Sequence, residues 1–148
     1  MIQRVQSLLL LLVAILHVLI FFIPVFVWEG YSMPGGTAID TKSMTALYEI
    51  QFIILNAVVI LFSIFCVLQF KDRKKQRSFV LALIVMIILN TSLYVYYMIS
   101  ISFEGEYNLQ PAKSIGIYFL LISIILCFVA ARKIKKDDDL VKSIDRIR

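Results

Sequence analysis

Four long apolar runs without a charged side chain constrain this chain more than any other feature of its sequence. Each run has between 18 and 26 residues, and a helix needs about 17–25 apolar residues to cross about 30 Å of hydrocarbon. Barrel strands would alternate apolar and polar residues, which these runs do not. Because a lipid-exposed backbone must satisfy its own hydrogen bonds, the pattern predicts an all-α integral membrane protein. The uncharged runs are Val5–Trp28, Ile50–Phe70, Ser78–Phe103 and Ser114–Ala131.

The runs divide the chain into a membrane domain and a tail. Residues 1–131 are predicted to form an antiparallel bundle of four transmembrane helices, and residues 132–148 a cytoplasmic tail. The chain has 61% apolar residues and a mean hydropathy of +0.90, whereas soluble domains have roughly 45–50% apolar residues. Pro24 is close to the outer end of the first span, where a kink is tolerable. The predicted spans cover about 5–28, 48–70, 78–102 and 114–131.

The distribution of basic residues predicts that both termini are cytoplasmic. Thirteen of the 15 lysines and arginines precede the first span, separate the second span from the third, or follow the fourth. Only Lys42 and Lys113 fall in the two other connections. Because lysine and arginine accumulate in cytoplasmic loops, the chain begins and ends on that side.

An aromatic cluster is predicted on the outer half of the bundle, formed by Trp28, Tyr94 and Tyr97. Under the assigned orientation, the only tryptophan and all seven tyrosines lie on that half. One interpretation is interfacial anchoring, in which amphipathic rings lie at the level of the lipid headgroups. The alternative is a cavity or partner surface lined by Tyr94 and Tyr97, which share a helix face at i, i+3.

A polar layer is predicted at the middle of the membrane. Each run has a hydrogen-bonding side chain close to its centre, and antiparallel neighbours could bring these groups together. One interpretation is that they join the helices through interhelical hydrogen bonds. The other is a proton-handling or ligand-binding role for the histidine, because an ionisable residue inside a membrane is a candidate site. The four residues are His17, Asn56, Asn90 and Ser123.

The tail is predicted to carry a short amphipathic helix from about Asp139 to Arg148. Asp139 can cap the helix, and the acidic run before it suits a helix N-terminus, where the macrodipole favours negative charge. The apolar face could lie on the lipid surface or dock onto another protein. That face consists of Leu140, Val141, Ile144 and Ile147.

Both ends of the chain carry recognisable polar motifs. The segment from Met1 to Leu8 and the segment from Asp139 to Arg148 resemble the family catalogued as domain of unknown function 4293. The resemblance implies a small four-span protein of the inner membrane of the Bacteroidota, with no known activity and no assigned catalytic residues. It also implies that the motif positions share the cytoplasmic face, and we hypothesise that they contact each other or one shared partner. These positions are Gln3, Arg4, Ser143, Asp145 and Arg146.

No catalytic set is visible, so a non-enzymatic role is expected. Cys66 and Cys127 form no C-x-x-C pair, and neither a metal cluster nor a phosphate loop is present. We therefore expect no cofactor and no nucleic-acid partner. The first hypothesis is an accessory subunit of a larger bacterial inner-membrane complex, for example in protein export or envelope biogenesis, with lipid and other membrane proteins as partners. The alternative is a small oligomeric transporter or channel that uses the midplane polar layer. An enzyme acting on lipid or quinone ranks third.

Overall fold

Four helices and three short strands make up the described part of the chain. The computed structural model describes the backbone of residues 2–31, 39–70, 72–103, 107–110 and 113–145, and the side chains of 5–30, 41–70, 72–101, 108–110 and 113–141. The elements in chain order are α1 (Ile2–Leu19), β1 (Phe26–Tyr31), β2 (Ile39–Met44), α2 (Ile50–Leu68), α3 (Arg73–Phe103), β3 (Tyr107–Leu109) and α4 (Gly116–Asp145).

The helices form an antiparallel bundle in which each helix packs against the next and α4 returns to α1. Two contacts fix the direction of the first pair. The Ser63 hydroxyl donates to the Leu10 carbonyl at 2.6 Å, and His17 Nδ1 lies 3.0 Å from Asn56 Oδ1. Because residue numbers rise along α1 as they fall along α2, the two helices run in opposite directions. The predicted helical bundle is confirmed as four helices, of which α2, α3 and α4 are long and apolar enough to cross a membrane.

The first helix ends earlier than the sequence predicts, and Pro24 explains why. The helix stops at Leu19 and the chain turns through Ile23, so the prediction of a helix that continues past Pro24 is wrong. Proline has no N–H to donate to the carbonyl four residues earlier, and its ring clashes with that carbonyl. The carbonyl concerned belongs to Ile20, and it accepts instead from the Ala46 backbone N–H at 3.1 Å.

The chain after Pro24 forms a small antiparallel sheet, so the all-α prediction is wrong for the connections between α1 and α2 and between α3 and α4. The strand order is β2-β1-β3, with Trp28 of β1 opposite Lys42 on one side and Leu109 on the other. The residues of β1 include aromatic and β-branched side chains, which favour strands. We call the end of the bundle that this sheet covers the sheet end, and the opposite end, where α1 begins and α4 ends, the terminal end.

The fourth helix is continuous through the predicted tail. It extends from Gly116 to Asp145, so the prediction of a separate helix capped by Asp139 is wrong. A buried stripe explains the continuity, because it crosses the charged segment without interruption and gives the helix a packed face there. Four of its members repeat every seven residues: Gly116, Ser123, Ala130 and Asp137.

The third helix begins within the basic connection, and Asp72 caps it. The Asp72 carboxylate accepts a hydrogen bond from the Lys75 backbone N–H at 3.2 Å, and its carbonyl accepts the first helical bond from Gln76 at 2.9 Å. A short polar side chain at this position satisfies one of the unpaired N–H groups of the first turn. The helix therefore starts before the first apolar residue of its run.

The Asp72 cap should weaken in acid. The Lys75 N–H stabilises the ionised carboxylate and holds the pKa of Asp72 below its ordinary value. A carboxyl group whose pKa is lower in the folded state than in the unfolded state stabilises the fold at pH values above its unfolded-state pKa. This contribution is lost as the pH falls through the folded-state pKa. We expect hydrogen exchange at the Lys75 amide, after correction for its intrinsic rate, to speed up over that acidic range. The variant Asp72→Asn, which caps without titrating, should show no such change, and an identical profile in both proteins would contradict the assignment.

Gly116 allows the start of α4 to contact the turn after α1. Its N–H donates to the Pro24 carbonyl at 2.8 Å. A Cβ at this position would lie 2.8 Å from both the Pro24 oxygen and the Val25 Cα. Since both atoms belong to the backbone, neither can move away as a side-chain tip could.

We expect Gly116→Ala to lower the free energy of unfolding by about 1–3 kcal/mol, the usual range for overpacking. The sign of this change in unfolding free energy is informative, because replacing glycine by alanine in an unhindered helix stabilises the helix by up to about 1 kcal/mol. Denaturation in mild detergent with added dodecyl sulfate, followed by circular dichroism, measures the change. A variant as stable as the original protein would show that the backbones are not in close contact.

Candidate functional site

A buried polar network joins three helices, with members in the last turn of α1, the second turn of α2 and the middle of α3. It consists of His17 on α1, Asn56 on α2, and Asn90 and Tyr94 on α3, and all four side chains are fully buried. Asn56 is at its centre. Its side chain contacts each of the other three, so we call this group the Asn56 network.

The hydrogen bonds of Asn56 use both ends of its amide. Its Nδ2 donates to the Phe52 carbonyl and to the Tyr94 hydroxyl, each at 2.9 Å. Its Oδ1 lies 3.0 Å from His17 Nδ1 and accepts from Asn90 Nδ2 at 3.3 Å. An amide side chain has two donor hydrogens and an oxygen that can accept twice. Asn56 is therefore fully paired, and its bonds reach α1 and α3.

The structure brings three of the four predicted midplane residues together and leaves out Ser123. The Ser123 hydroxyl donates to the Phe119 carbonyl of its own helix at 2.7 Å. Serine in a membrane helix often bonds to the carbonyl one turn back, which satisfies the hydroxyl locally. Depth along the bundle therefore did not determine which groups meet.

Aromatic rings pack against the network on its sheet-end side. Tyr94 stacks on Phe52 with ring centroids 4.2 Å apart, and Tyr97 meets the edge of Phe52 at 5.2 Å. Gln51 donates to the Tyr97 hydroxyl. Trp28, the third member of the predicted outer cluster, is fully buried in the same apolar core as Phe52 and Tyr94. Trp28 and Tyr94 therefore face the protein interior rather than lipid or an open cavity.

A second buried polar group lies at the terminal end, where Gln6 on α1 donates to the Asp137 carboxylate on α4. The two side chains are only 3% and 8% exposed. Arg73, at the start of α3, donates to the Asp137 backbone carbonyl at 3.1 Å. We call these three residues the Asp137 clasp, since they join α1, α3 and α4.

The sequence carried a signal for the Asp137 clasp that the prediction did not use. The heptad series of small residues on α4 continues to Asp137, which extends the inward face beyond Ala131, the last residue of the uncharged run. Nearby, Gln76 on α3 donates to the Cys66 carbonyl at 3.1 Å. Cys66 lies in the last turn of α2, where carbonyls lack helical partners. Buried amides thus satisfy polar groups at this end of the bundle.

An open groove of about 500 Å³ lies beside the clasp. Its lining combines charged side chains from the start of α3 with residues of α4, namely Asp72, Arg73, Lys74, Asp138 and Val141. Of the predicted apolar tail face, Leu140 is 47% exposed and Val141 41% exposed. The rest of the predicted cytoplasmic motif and of the apolar tail face lies outside the described residues. This applies to the side chains of Gln3, Arg4, Ser143, Ile144 and Asp145 and to the whole of Arg146 and Ile147.

The chemistry available in the Asn56 network is hydrogen bonding by neutral groups. Its members are an imidazole, two amides and a phenol, which hold helices together and can accept or donate hydrogen bonds to a small molecule. Among the side chains that the structure describes, no group of three His, Cys, Asp or Glu residues is placed to hold a metal ion.

Comparison with known proteins identifies the family. A family model described as Domain of unknown function (DUF4293) matches residues 2–147, almost the whole chain. The chain therefore belongs to this family, and the resemblance drawn from its two ends is confirmed. No curated protein and no solved structure matches the chain.

Proposed function

We propose that this member of the DUF4293 family is a non-enzymatic accessory subunit of a larger assembly in a bacterial inner membrane. It crosses the bilayer four times, with both termini in the cytoplasm, and it contacts its partners through the bundle and the projecting end of α4.

The observation that carries this proposal is the extension of α4 beyond the membrane-spanning part. The helix continues for 14 residues after Ala131, about 21 Å at 1.5 Å per residue. The Asp137 clasp fixes this extension to α1 and α3. Just beyond the clasp, Leu140 and Val141 are 47% and 41% exposed. A helix that is held in place and presents apolar side chains outside the membrane is suited to bind another protein.

The surface of the bundle supports the membrane placement. Large apolar side chains are exposed on all four helices, including Leu8, Leu61, Leu89 and Ile125, each at least 60% exposed. Soluble monomers rarely expose contiguous apolar surface of this kind, whereas lipid requires it. The bias of lysine and arginine toward the terminal end supports the proposed orientation.

Co-purification from the native membrane in mild detergent tests the accessory role. We expect the tagged protein to recover stoichiometric partners. The double variant Leu140→Ser/Val141→Ser should lower recovery about tenfold or more, since each apolar side chain contributes about 1.5–3 kcal/mol when buried. The matched control Lys135→Ser/Lys136→Ser alters two exposed residues of the same helix and should recover the partners fully. A protein that purifies alone would contradict the proposal.

Protease accessibility of terminal tags tests the orientation. We expect tags at both ends to be cleaved in inverted inner-membrane vesicles and protected in spheroplasts. Cleavage of either tag in spheroplasts would contradict the proposed topology.

A small oligomeric transporter or channel is the second candidate, and the Asn56 network favours it because its four polar side chains meet in the bundle interior. Reconstituted protein would then catalyse solute flux, and His17→Ala would abolish it. His17 is fully buried in this conformation, so a pathway would need the bundle to open. Flux that is unchanged by His17→Ala would exclude this role for the network.

A further inference from the structure

The backbone of α2 fixes the orientation of the Asn56 amide. Asn56 Nδ2 lies 2.9 Å from the Phe52 carbonyl oxygen. If the amide were rotated by half a turn, its oxygen would face that carbonyl oxygen, and neither atom could donate. The nitrogen therefore points toward Phe52, and Asn56 Oδ1 faces His17 and Asn90 as an acceptor.

This orientation determines which nitrogen of His17 carries the proton. Nδ1 lies 3.0 Å from an oxygen that can only accept, so Nδ1 is protonated and donates to Asn56. In a neutral imidazole the other nitrogen, Nε2, then carries a lone pair. The same argument applies to Asn90, whose Nδ2 donates to Asn56 and whose Oδ1 is left as an acceptor.

Two buried acceptors of the network have no donor among the residues that the structure describes. They are His17 Nε2 and Asn90 Oδ1, and both residues are fully buried. A buried acceptor without a donor costs free energy, and two acceptors cannot satisfy each other. Both side chains bond to the same Asn56 oxygen, so His17 and Asn90 are neighbours in the bundle.

We propose that His17 Nε2 and Asn90 Oδ1 form a binding site for one water molecule in the interior of the bundle. Water has two hydrogens and can donate one to each acceptor, and buried waters typically bridge two to four polar groups. The Asn56 network consists of neutral groups, so nothing in it balances the charge of a cation. The bound water links α1 to α3 by a route that does not pass through Asn56. This inference is independent of the accessory role.

Nitrogen NMR tests the site directly, because His17 is the only histidine in the chain. Protein labelled with ¹⁵N-histidine, purified through a histidine-free tag and placed in lipid bilayers, gives one pair of ring signals. We expect Nδ1 to be protonated and Nε2 to be unprotonated, with a cross-peak between water protons and Nε2. A protonated Nε2, a doubly protonated ring, or no contact between water and Nε2 would overturn the proposal.

Two variants identify the second acceptor. Asn90→Leu removes one of the two groups that hold the water, so we expect the water cross-peak at Nε2 to disappear. Nδ1 should stay protonated, because its bond to Asn56 is kept. Ser123→Ala, the matched control at the same depth, should keep both signals. An undiminished water cross-peak in Asn90→Leu would contradict the assigned site. If that variant does not fold, the signals of the unaltered protein still decide the question.

Discussion

Replacing Trp28 with alanine is expected to lower the free energy of unfolding by about 3–5 kcal/mol, the range for removing a buried tryptophan or phenylalanine. Trp28 lies in β1, the central strand of the sheet, and is fully buried. It belongs to one apolar core with Phe52, Tyr94 and Leu120, which come from α2, α3 and α4. Removing the indole would therefore leave a cavity where the sheet meets three helices.

Denaturation of Trp28→Ala must be followed by far-ultraviolet circular dichroism, because Trp28 is the only tryptophan and its fluorescence is lost with it. Phe22→Ala is the matched control. Phe22 is a large aromatic residue from the same end of the bundle but is 77% exposed, so its truncation should cost less than about 1 kcal/mol in detergent. Equal effects of the two substitutions would show that Trp28 is not part of the packed core.

Replacing Asn56 with leucine is expected to destabilise the bundle by about 2–4 kcal/mol. Asn56 bonds to three side chains on other helices, those of His17, Asn90 and Tyr94, and each such bond contributes about 0.6–2 kcal/mol in a membrane protein. Leucine has a similar volume, so the loss arises mainly from polar groups left unpaired in an apolar interior.

The control for Asn56→Leu is Ser123→Ala, which removes a hydroxyl that donates to the Phe119 carbonyl of its own helix. We expect it to cost less than about 1 kcal/mol, since no interhelical bond is lost. Denaturation by dodecyl sulfate measures both variants under the same conditions. If Asn56→Leu were no more destabilising than Ser123→Ala, the network would not join the helices.

Hydropathy predicted the helices well because lipid-spanning length and burial of the backbone leave few alternatives. It also placed His17, Asn56 and Asn90 at similar depths, which was enough to suggest that they meet. It could not show that Ser123 would bond to Phe119, because helix rotation and rotamer choice are set by packing rather than by depth. Hydropathy also could not show that Trp28 is buried in the core. An aromatic residue near a membrane interface has the same sequence pattern whether it faces lipid or the protein interior.

Two departures from the prediction have local causes that the sequence did contain. Pro24 marks the end of α1, but its effect was underestimated because proline is often tolerated inside membrane helices where neighbouring groups satisfy the freed carbonyl. Here the neighbour is Ala46, which lies after a strand that hydropathy did not predict. Asp137 continues the heptad series of α4, but the acidic run was interpreted as the N-terminus of a separate helix rather than as part of one packed face.

The central claim is that buried polar side chains act as one network that holds the helices together. A double-mutant cycle of His17→Leu and Asn56→Leu, measured by unfolding in mixed detergent micelles, tests it most directly. We expect the combined variant to be less destabilised than the sum of the single variants by about 0.6–1.7 kcal/mol, the coupling typical of membrane hydrogen bonds. Effects that simply add, as they should for His17→Leu combined with Ser123→Ala, would show that His17 and Asn56 do not interact and would contradict the account.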